Sequence, residues 1–235
     1  MITMNPKDYE NAHNYDLGEL WGIFDKLPHD VSILDVGFGT GRVLKFIHEN
    51  FKYKFDLYGI EKNKQLVTDK IHSNLWKKGI SIWSDDFMEY GFEEENQFDY
   101  LLFISSIHQI PNTVKVIEQI AGIAQMGVVI KTVDTKRIKE STISQLFPHL
   151  KELHFPIYSK ITAPLKVKGF TLTLEKSVKY NILTETEYYT NLLLNRFVSS
   201  LHQLTNKEIE MVIKKFLSNP RFCRNEVMEY LVYEK

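Results

Sequence analysis

Ten consecutive residues, Ile33-Leu34-Asp35-Val36-Gly37-Phe38-Gly39-Thr40-Gly41-Arg42, constrain the fold of this chain more tightly than any other stretch. An apolar strand meets an acid, then three glycines spaced G-x-G-x-G, and a helical pattern (Val43, Leu44, Phe46, Ile47) follows at once. A strand that passes into a helix through glycines exposes bare backbone to a ligand, because glycine accepts positive φ and carries no side chain. The helix start adds unpaired N–H groups and the positive end of the helix dipole. The pattern predicts a nucleotide-type pocket and leaves open which nucleotide fills it.

The flanking sequence keeps alternating between strand and helix. Strands are expected over Val31–Val36, Phe55–Ile60, Ile80–Trp83, Phe98–Ile104 and Gly127–Val133, and helices over Arg42–Asn50, Lys64–Lys77 and Val114–Ala124. Short connections between them imply right-handed crossovers and a parallel sheet covered on both faces. Upstream, Leu17, Leu20, Trp21, Phe24 and Leu27 fall at helical spacing, with Pro28 as the stop, and the polar stretch through Asn14 reads as loose.

Beyond Val133 the pattern changes. Ile143, Leu146, Phe147, Leu150 and Leu153 keep helical spacing, Ile161–Val167 is a short amphipathic piece before Gly169, and Phe170–Tyr180 alternates as a strand. Thr184 with Glu187 and Thr205 with Glu208 have the form of capping boxes ahead of two helices. Their apolar stripes are Leu192, Leu193, Phe197 and Leu201, then Ile209, Val212, Ile213 and Phe216; Asn219-Pro220 stops the second, and Val227–Tyr233 closes the chain as a strand. We read 1–235 as one domain, with 1–28 as an N-terminal helical segment and 181–219 as a helical insertion. The insertion is either a lid over the ligand edge of the sheet or plain sheet cover.

Composition narrows the class. Of 235 residues 43% are hydrophobic and 25% charged, the balance of an ordinary globular protein. A net charge of −1 supplies no overall field to draw nucleic acid or an anionic membrane. The single cysteine, Cys223, precludes an internal disulfide and leaves a cysteine-rich metal site without support, so no metal is expected. Apolar runs such as Leu101–Ile104 are far too short to span a bilayer, and no signal-peptide pattern opens the chain; a cytoplasmic location is expected.

The glycine spacing discriminates among nucleotides. Dinucleotide folds use G-x-G-x-x-G, with the third glycine inside the helix, where Arg42-Val43 stand here. The Lys-Ser/Thr ending of a P-loop is missing. Asp35 lies in an otherwise apolar strand, where an acid is costly without a partner; it either braces the loop through the amides or takes a ligand ammonium. Glu61 ends the second strand, where an acid can grip both ribose hydroxyls, a feature shared with NAD enzymes.

These residues resemble the first motif, Asp-x-Gly-x-Gly-x-Gly, of the class I, seven-stranded S-adenosylmethionine-dependent methyltransferases, here Asp35 to Gly41. The resemblance is clear over residues 30–135. It implies an α/β fold: a doubly wound, mostly parallel seven-stranded sheet with helices on both faces and a helical insertion near the C-terminus. It further implies that Asp35, Gly37, Phe38, Gly39, Gly41, Glu61, Lys62, Asp86, Phe87 and Ser105 hold S-adenosyl-L-methionine. Glu61 would bind the ribose and Asp86-Phe87 the adenine, with Asp85 as a competing register; Phe87, Ile60 or Trp83 would flank the base. After the fourth strand, small-molecule members carry a pattern like Ser-x-x-His-His. Here it reads Ser105-Ser106-Ile107-His108-Gln109, so Gln109 replaces the second histidine. Phe147-Pro148, the helix before Gly169-Phe170 and Asn195-Arg196-Phe197 are similar to the same group.

Methyl transfer needs alignment and exclusion of water, with a base where the nucleophile carries a proton. His108 is the candidate base, since it titrates near neutrality and follows the fourth strand; it reads equally as a buried structural histidine. Tyr9, His13 and Tyr15 could close over the site. A small-molecule acceptor is expected. The Asn/Asp-Pro-Pro-Tyr pattern of base-amine methylation is missing at Ile104–Ile107, and nucleic acid is disfavoured as a partner. The oligomeric state is left open. Three rival readings stay: an NAD(P)-linked oxidoreductase, a binding protein without turnover, and an RNA methyltransferase.

Overall fold

The computed structural model describes residues 17–92, 97–110, 112–148, 158–194, 201, 204–216 and 218–235. The strands are β1 (Val31–Val36), β2 (Phe55–Ile60), β3 (Ser81–Trp83), β4 (Phe98–Ile104), β5 (Ala124–Val133), β6 (Thr171–Glu185) and β7 (Arg221–Glu234). The α-helices are α1 (Gly18–Phe24), α2 (Arg42–Asn50), α3 (Asp69–Trp76), α4 (Thr113–Ile123), α5 (Thr142–Leu146), α6 (Ala163–Val167), α7 (Thr186–Leu194) and α8 (Asn206–Phe216). One seven-stranded sheet runs in the order β3-β2-β1-β4-β5-β7-β6. The first five strands are parallel; β7 is antiparallel to β5 and to β6. The expected doubly wound, mostly parallel fold is therefore the observed one. Strand order reverses between β1 and β4, which opens a crevice at their C-terminal ends.

Both faces of the sheet are buried, and successive residues alternate between them. Ile33, Leu57, Leu102, Val129 and Val232 join Leu20 and Phe24 of α1 and Leu44 and Ile47 of α2. Leu34, Val36, Leu101, Phe103 and Ile130 join Val116, Ile117 and Ile120 of α4. A third cluster, Ile143, Leu146 and Phe147 with Tyr189, Leu192, Leu193 and Ile209, gives the late helices a core of their own. Strand register explains its place. Val133, the end of β5, pairs with Met228, so the β6–β7 hairpin continues past the parallel strands to Glu185↔Arg221. Helices α7 and α8 therefore ride on a hairpin tip beyond the C-terminal edge.

Several boundaries differ from expectation, each for a local reason. The helix expected from Lys64 begins at Asp69, because the Thr68 hydroxyl accepts the Ile71 N–H at 3.4 Å and Asn63 holds the preceding turn. Helix α1 ends at Phe24, ahead of Pro28: the buried Lys54 ammonium donates to the carbonyls of Phe24 (3.0 Å) and Asp25 (2.8 Å). Strand β6 runs to Glu185, five residues into the stretch read as helical insertion (181–219). The Thr184–Glu187 capping box is not formed: the Thr184 hydroxyl donates to the Ile182 carbonyl within β6. The Thr205–Glu208 box is formed, with Thr205 N–H donating to the Glu208 carboxylate (2.7 Å) and Glu208 N–H to the Thr205 hydroxyl (3.3 Å). Tyr9, His13, Tyr15, Leu150, Leu153, Asn195, Arg196 and Phe197 lie outside the described residues.

Candidate cofactor and acceptor site

The turn after β1 has the backbone its glycines announced. Gly37, Gly39 and Gly41 have φ of +77°, +59° and +76°. At Gly37 a Cβ would stand 2.7 Å from the Cβ of Ser106, so the turns following β1 and β4 press directly together. The turn is tied to the sheet by the Gly37 N–H, which donates to the Ile60 carbonyl at 2.8 Å. The Phe38 ring is buried in the first core and lies where a Cβ on Gly59 would be, 2.7 Å from Phe38 Cδ1. Phe38 thus offers a ligand its backbone only. Gly59, paired with Asp35 across the sheet, is a requirement that sequence reading missed.

The structure divides the work of the two acids differently from the sequence reading. Glu61, not Asp35, braces the glycine turn: its Oε2 accepts the Gly39 N–H at 2.9 Å and its Oε1 accepts the Asn63 N–H at 2.7 Å. Burial raises the Glu61 pKa, although both amides and Lys62 pull it down. Each oxygen still has a second lone pair for a hydroxyl donor. Asp35 is 1% exposed, and among the described residues neither of its oxygens has a hydrogen-bond partner. Burial, then the charge of Glu61, pushes its pKa up to about 8. A buried carboxyl without partners is destabilising unless a donor or cation reaches it. It is the strongest sign here of a ligand group that completes the site.

The adenine-side residues divide. Asp86 is half-buried and its Oδ1 accepts the Met88 N–H (2.9 Å), bracing the turn after β3, while Asp85 is exposed and accepts the Asp86 N–H (2.8 Å). The Phe87 ring is buried in the second core, edge-on to Phe103 with centroids 5.7 Å apart, and Ile60 is 1% exposed. The hydrophobic gain of core burial holds both side chains inward. Trp83 stacks on Tyr58 at 5.8 Å, also within the fold. Lys62 is exposed beside Glu61.

Beyond β4, Ser105 has φ +63°, a left-handed conformation uncommon for serine, and its N–H donates to the Lys131 carbonyl at 2.8 Å. The Ser106 hydroxyl is buried with no hydrogen-bond partner among the described residues, and so is His108 Nδ1. His108 sits in the 3-10 turn Ile107–Gln109, and burial lowers its pKa, which favours the neutral imidazole. The sheet therefore brings Asp35, the three glycines, Glu61, Ser105 and Ser106 to one crevice, with His108 two residues further on.

The donor set suits S-adenosylmethionine. The bare turn with its helix start would suit a carboxylate, Asp35 an ammonium, and the remaining lone pairs of Glu61 a ribose diol. Among the described residues no group of three or more His, Cys, Asp and Glu could hold a metal ion, and no helix is long and apolar enough to cross a membrane.

Comparison with known proteins agrees with this geometry. Residues 33–127 match the family model described as a methyltransferase domain. No curated protein matches the sequence at a significant level. Among solved structures, a candidate methyltransferase from Bacillus halodurans aligns over 94% of this chain and 98% of its own, with a TM-score of 0.63 at 12% identity. Phosphoethanolamine N-methyltransferase 2 of Haemonchus contortus, solved with S-adenosyl-L-methionine, aligns over 98% of this chain but 56% of its own, with a TM-score of 0.59 at 16% identity. The cyclase SpnF aligns over 92% and 80%, with a TM-score of 0.57 at 14% identity. Segment 33–127 thus matches a methyltransferase domain, and the fold is similar to those of solved methyltransferases.

Proposed function

We propose that the protein transfers a methyl group from S-adenosylmethionine to a small-molecule acceptor, and that the crevice between β1 and β4 is where it does so. The observation that carries the reading is Asp35, a buried carboxyl without a hydrogen-bond partner among the described residues, beneath a turn of three left-handed glycines. When bound, S-adenosylmethionine supplies an activated methyl on a sulfonium. The Gly37–Gly41 turn binds the amino-acid end, Asp35 the ammonium and Glu61 the ribose hydroxyls. Asp86 and the backbone of Phe87 flank the adenine, with Lys62 and Ser105 at the rim. The residues around the crevice would hold the acceptor in line with that methyl. Where the nucleophile carries a proton, His108 takes it.

The hairpin-tip helices α7 and α8 act as a lid that excludes water. Their position beyond the C-terminal edge, and a core separate from the sheet's, support this over plain sheet cover. The relatives support a small acceptor: the Haemonchus contortus enzyme is also solved with phosphomonomethylethanolamine. SpnF marks the alternative, a cyclase on the same fold. The single cysteine suits a reducing, cytoplasmic setting. Two measurements test the proposal. Calorimetry should show S-adenosylhomocysteine binding to the folded protein and no NADH binding. Labelled methyl from S-adenosylmethionine should enter the small-molecule fraction of a cell extract rather than RNA. Absence of homocysteine-nucleoside binding to folded protein overturns it.

A further inference from the structure

Strand β6 is the outermost strand of the sheet, and among the described residues no strand pairs with its far side. It runs for 15 residues, Thr171–Glu185, a long edge of backbone donors and acceptors. The neighbouring ladders show which of these point outward. Asp134 N–H donates to the Val227 carbonyl at 3.1 Å, and Lys235 N–H to the Met126 carbonyl at 2.9 Å, so the odd-numbered residues of β7 turn their backbone groups to β5. The even-numbered Glu226, Met228 and Tyr230 turn theirs to β6, where they pair with Tyr180, Val178 and Lys176. Ser177, Lys179 and Asn181 therefore present N–H and C=O away from the sheet. A register shift between Leu172 and Leu174 ends this regular stretch.

Lysines on such an edge ordinarily repel a second strand. Here Lys176 and Lys179 stand in a segment that is complementary to itself. An antiparallel pair of β6 strands, related by a two-fold axis through Ser177, sets Glu175 opposite Lys179, Lys176 opposite Val178 and Leu174 opposite Tyr180. An axis through Lys176 or Lys179 would put like charges face to face, and one through Val178 would set Glu175 opposite Asn181 and Lys179 opposite Ser177. Within each copy Glu175 already meets Lys136 (2.6 Å) and Lys179 meets Glu140 (3.3 Å), all at the surface. The Ser177 axis joins these pairs into one line of alternating sign, Lys136, Glu175, Lys179, Glu140, and does so twice. Apolar surface agrees with the same axis. Leu183 is 71% exposed, and Val167, which ends α6, is 85% exposed. Leu183 lies on the sheet face of the second core, where Leu172 and Leu165 of α6 also pack. The axis brings Leu183 of one copy toward the Leu172 end of the other, the end that α6 adjoins.

We infer that β6 is the docking edge for a second copy of this chain, paired antiparallel about a two-fold axis at Ser177 so that two sheets become one. Three strand spacings, about 15 Å, separate β6 from β4, so the crevice between β1 and β4 stays open in both copies. The inference does not depend on the methyl-transfer reading.

Sedimentation velocity of the full chain over a hundredfold range of concentration should show a reversible monomer–dimer equilibrium. Glu175→Lys and Lys179→Glu should each weaken the dimer at least tenfold by setting like charges opposite, and the double variant should return to within threefold of wild type. The far-ultraviolet circular dichroism spectrum, which reports folding, should stay unchanged. Should a charge variant fail to fold, disulfide trapping serves: an equimolar mixture of Lys176→Cys and Val178→Cys chains, both carrying Cys223→Ser, should cross-link under mild oxidation faster than either chain alone, because directly opposed residues of a non-hydrogen-bonded pair lie about 4.5 Å apart. A monomer at every concentration, a dimer indifferent to the single charge reversals, or no preference for the mixed disulfide overturns the inference.

Discussion

Replacing Asp35 by asparagine should make the free protein more stable and the ligand-bound protein weaker. The carboxyl is buried without hydrogen bonds among the described residues, and its pKa moves from 3.8 to about 8, roughly four units. At 1.36 kcal/mol per unit this corresponds to a ceiling of about 6 kcal/mol against folding at high pH. Water entering the crevice lowers the realised value to about 2–4 kcal/mol. The sign follows from proton counts. Between the unfolded and folded pKa values the folded state holds a proton that the unfolded chain has lost, so wild-type stability falls as pH rises through that window and levels off above it. Asparagine does not titrate and follows no such slope. Urea unfolding at pH 5, 6.5 and 8.5 should therefore show a variant advantage that grows with pH. Calorimetry should show S-adenosylhomocysteine affinity reduced tenfold or more. In the wild type, affinity should rise toward pH 8, because the ammonium needs the ionised carboxylate. A variant less stable than wild type, or an advantage independent of pH, would refute the assignment of Asp35 as a group awaiting a cation.

Other perturbations address the same crevice. Gly39→Val should abolish S-adenosylhomocysteine binding by calorimetry, because a β-branched residue at φ +59° is an outlier and would fill the turn. Gly37→Ala should lower unfolding stability by more than Gly79→Ala: both have left-handed φ, worth about 1 kcal/mol, but only the former meets a neighbour, at 2.7 Å. Equal losses would deny that the β1 and β4 turns are in contact. His108→Ala should leave cofactor affinity intact and slow turnover about a hundredfold with an acceptor that must lose a proton. An unchanged rate would make His108 structural.

The glycine turn, the strand–helix alternation and the parallel core were legible in the residues alone, because local periodicity and glycine chemistry encode them without distant partners. Asp35, Glu61 and the turn after β4 could be placed at one edge for the same reason: each lies at or just past the C-terminal end of a strand whose direction the alternation implies. Contacts between segments far apart in sequence were not legible. Lys54 closing α1, Phe38 resting on Gly59, and Ser106 under Gly37 each join elements with no shared local signal. The Thr184–Glu187 pattern satisfied the capping rule yet continued as strand, because β7 supplies a ladder as far as Arg221.

Sequence by itself determined that bare backbone at positive φ follows the first strand, since glycine adopts that conformation at least cost. Only the tertiary structure decided which acid does what. Glu61 reaches the Gly39 amide across the β1–β2 pair, and Asp35 is left buried and bare because its neighbours on that face, Gly59 and Leu102, offer it no donor side chain.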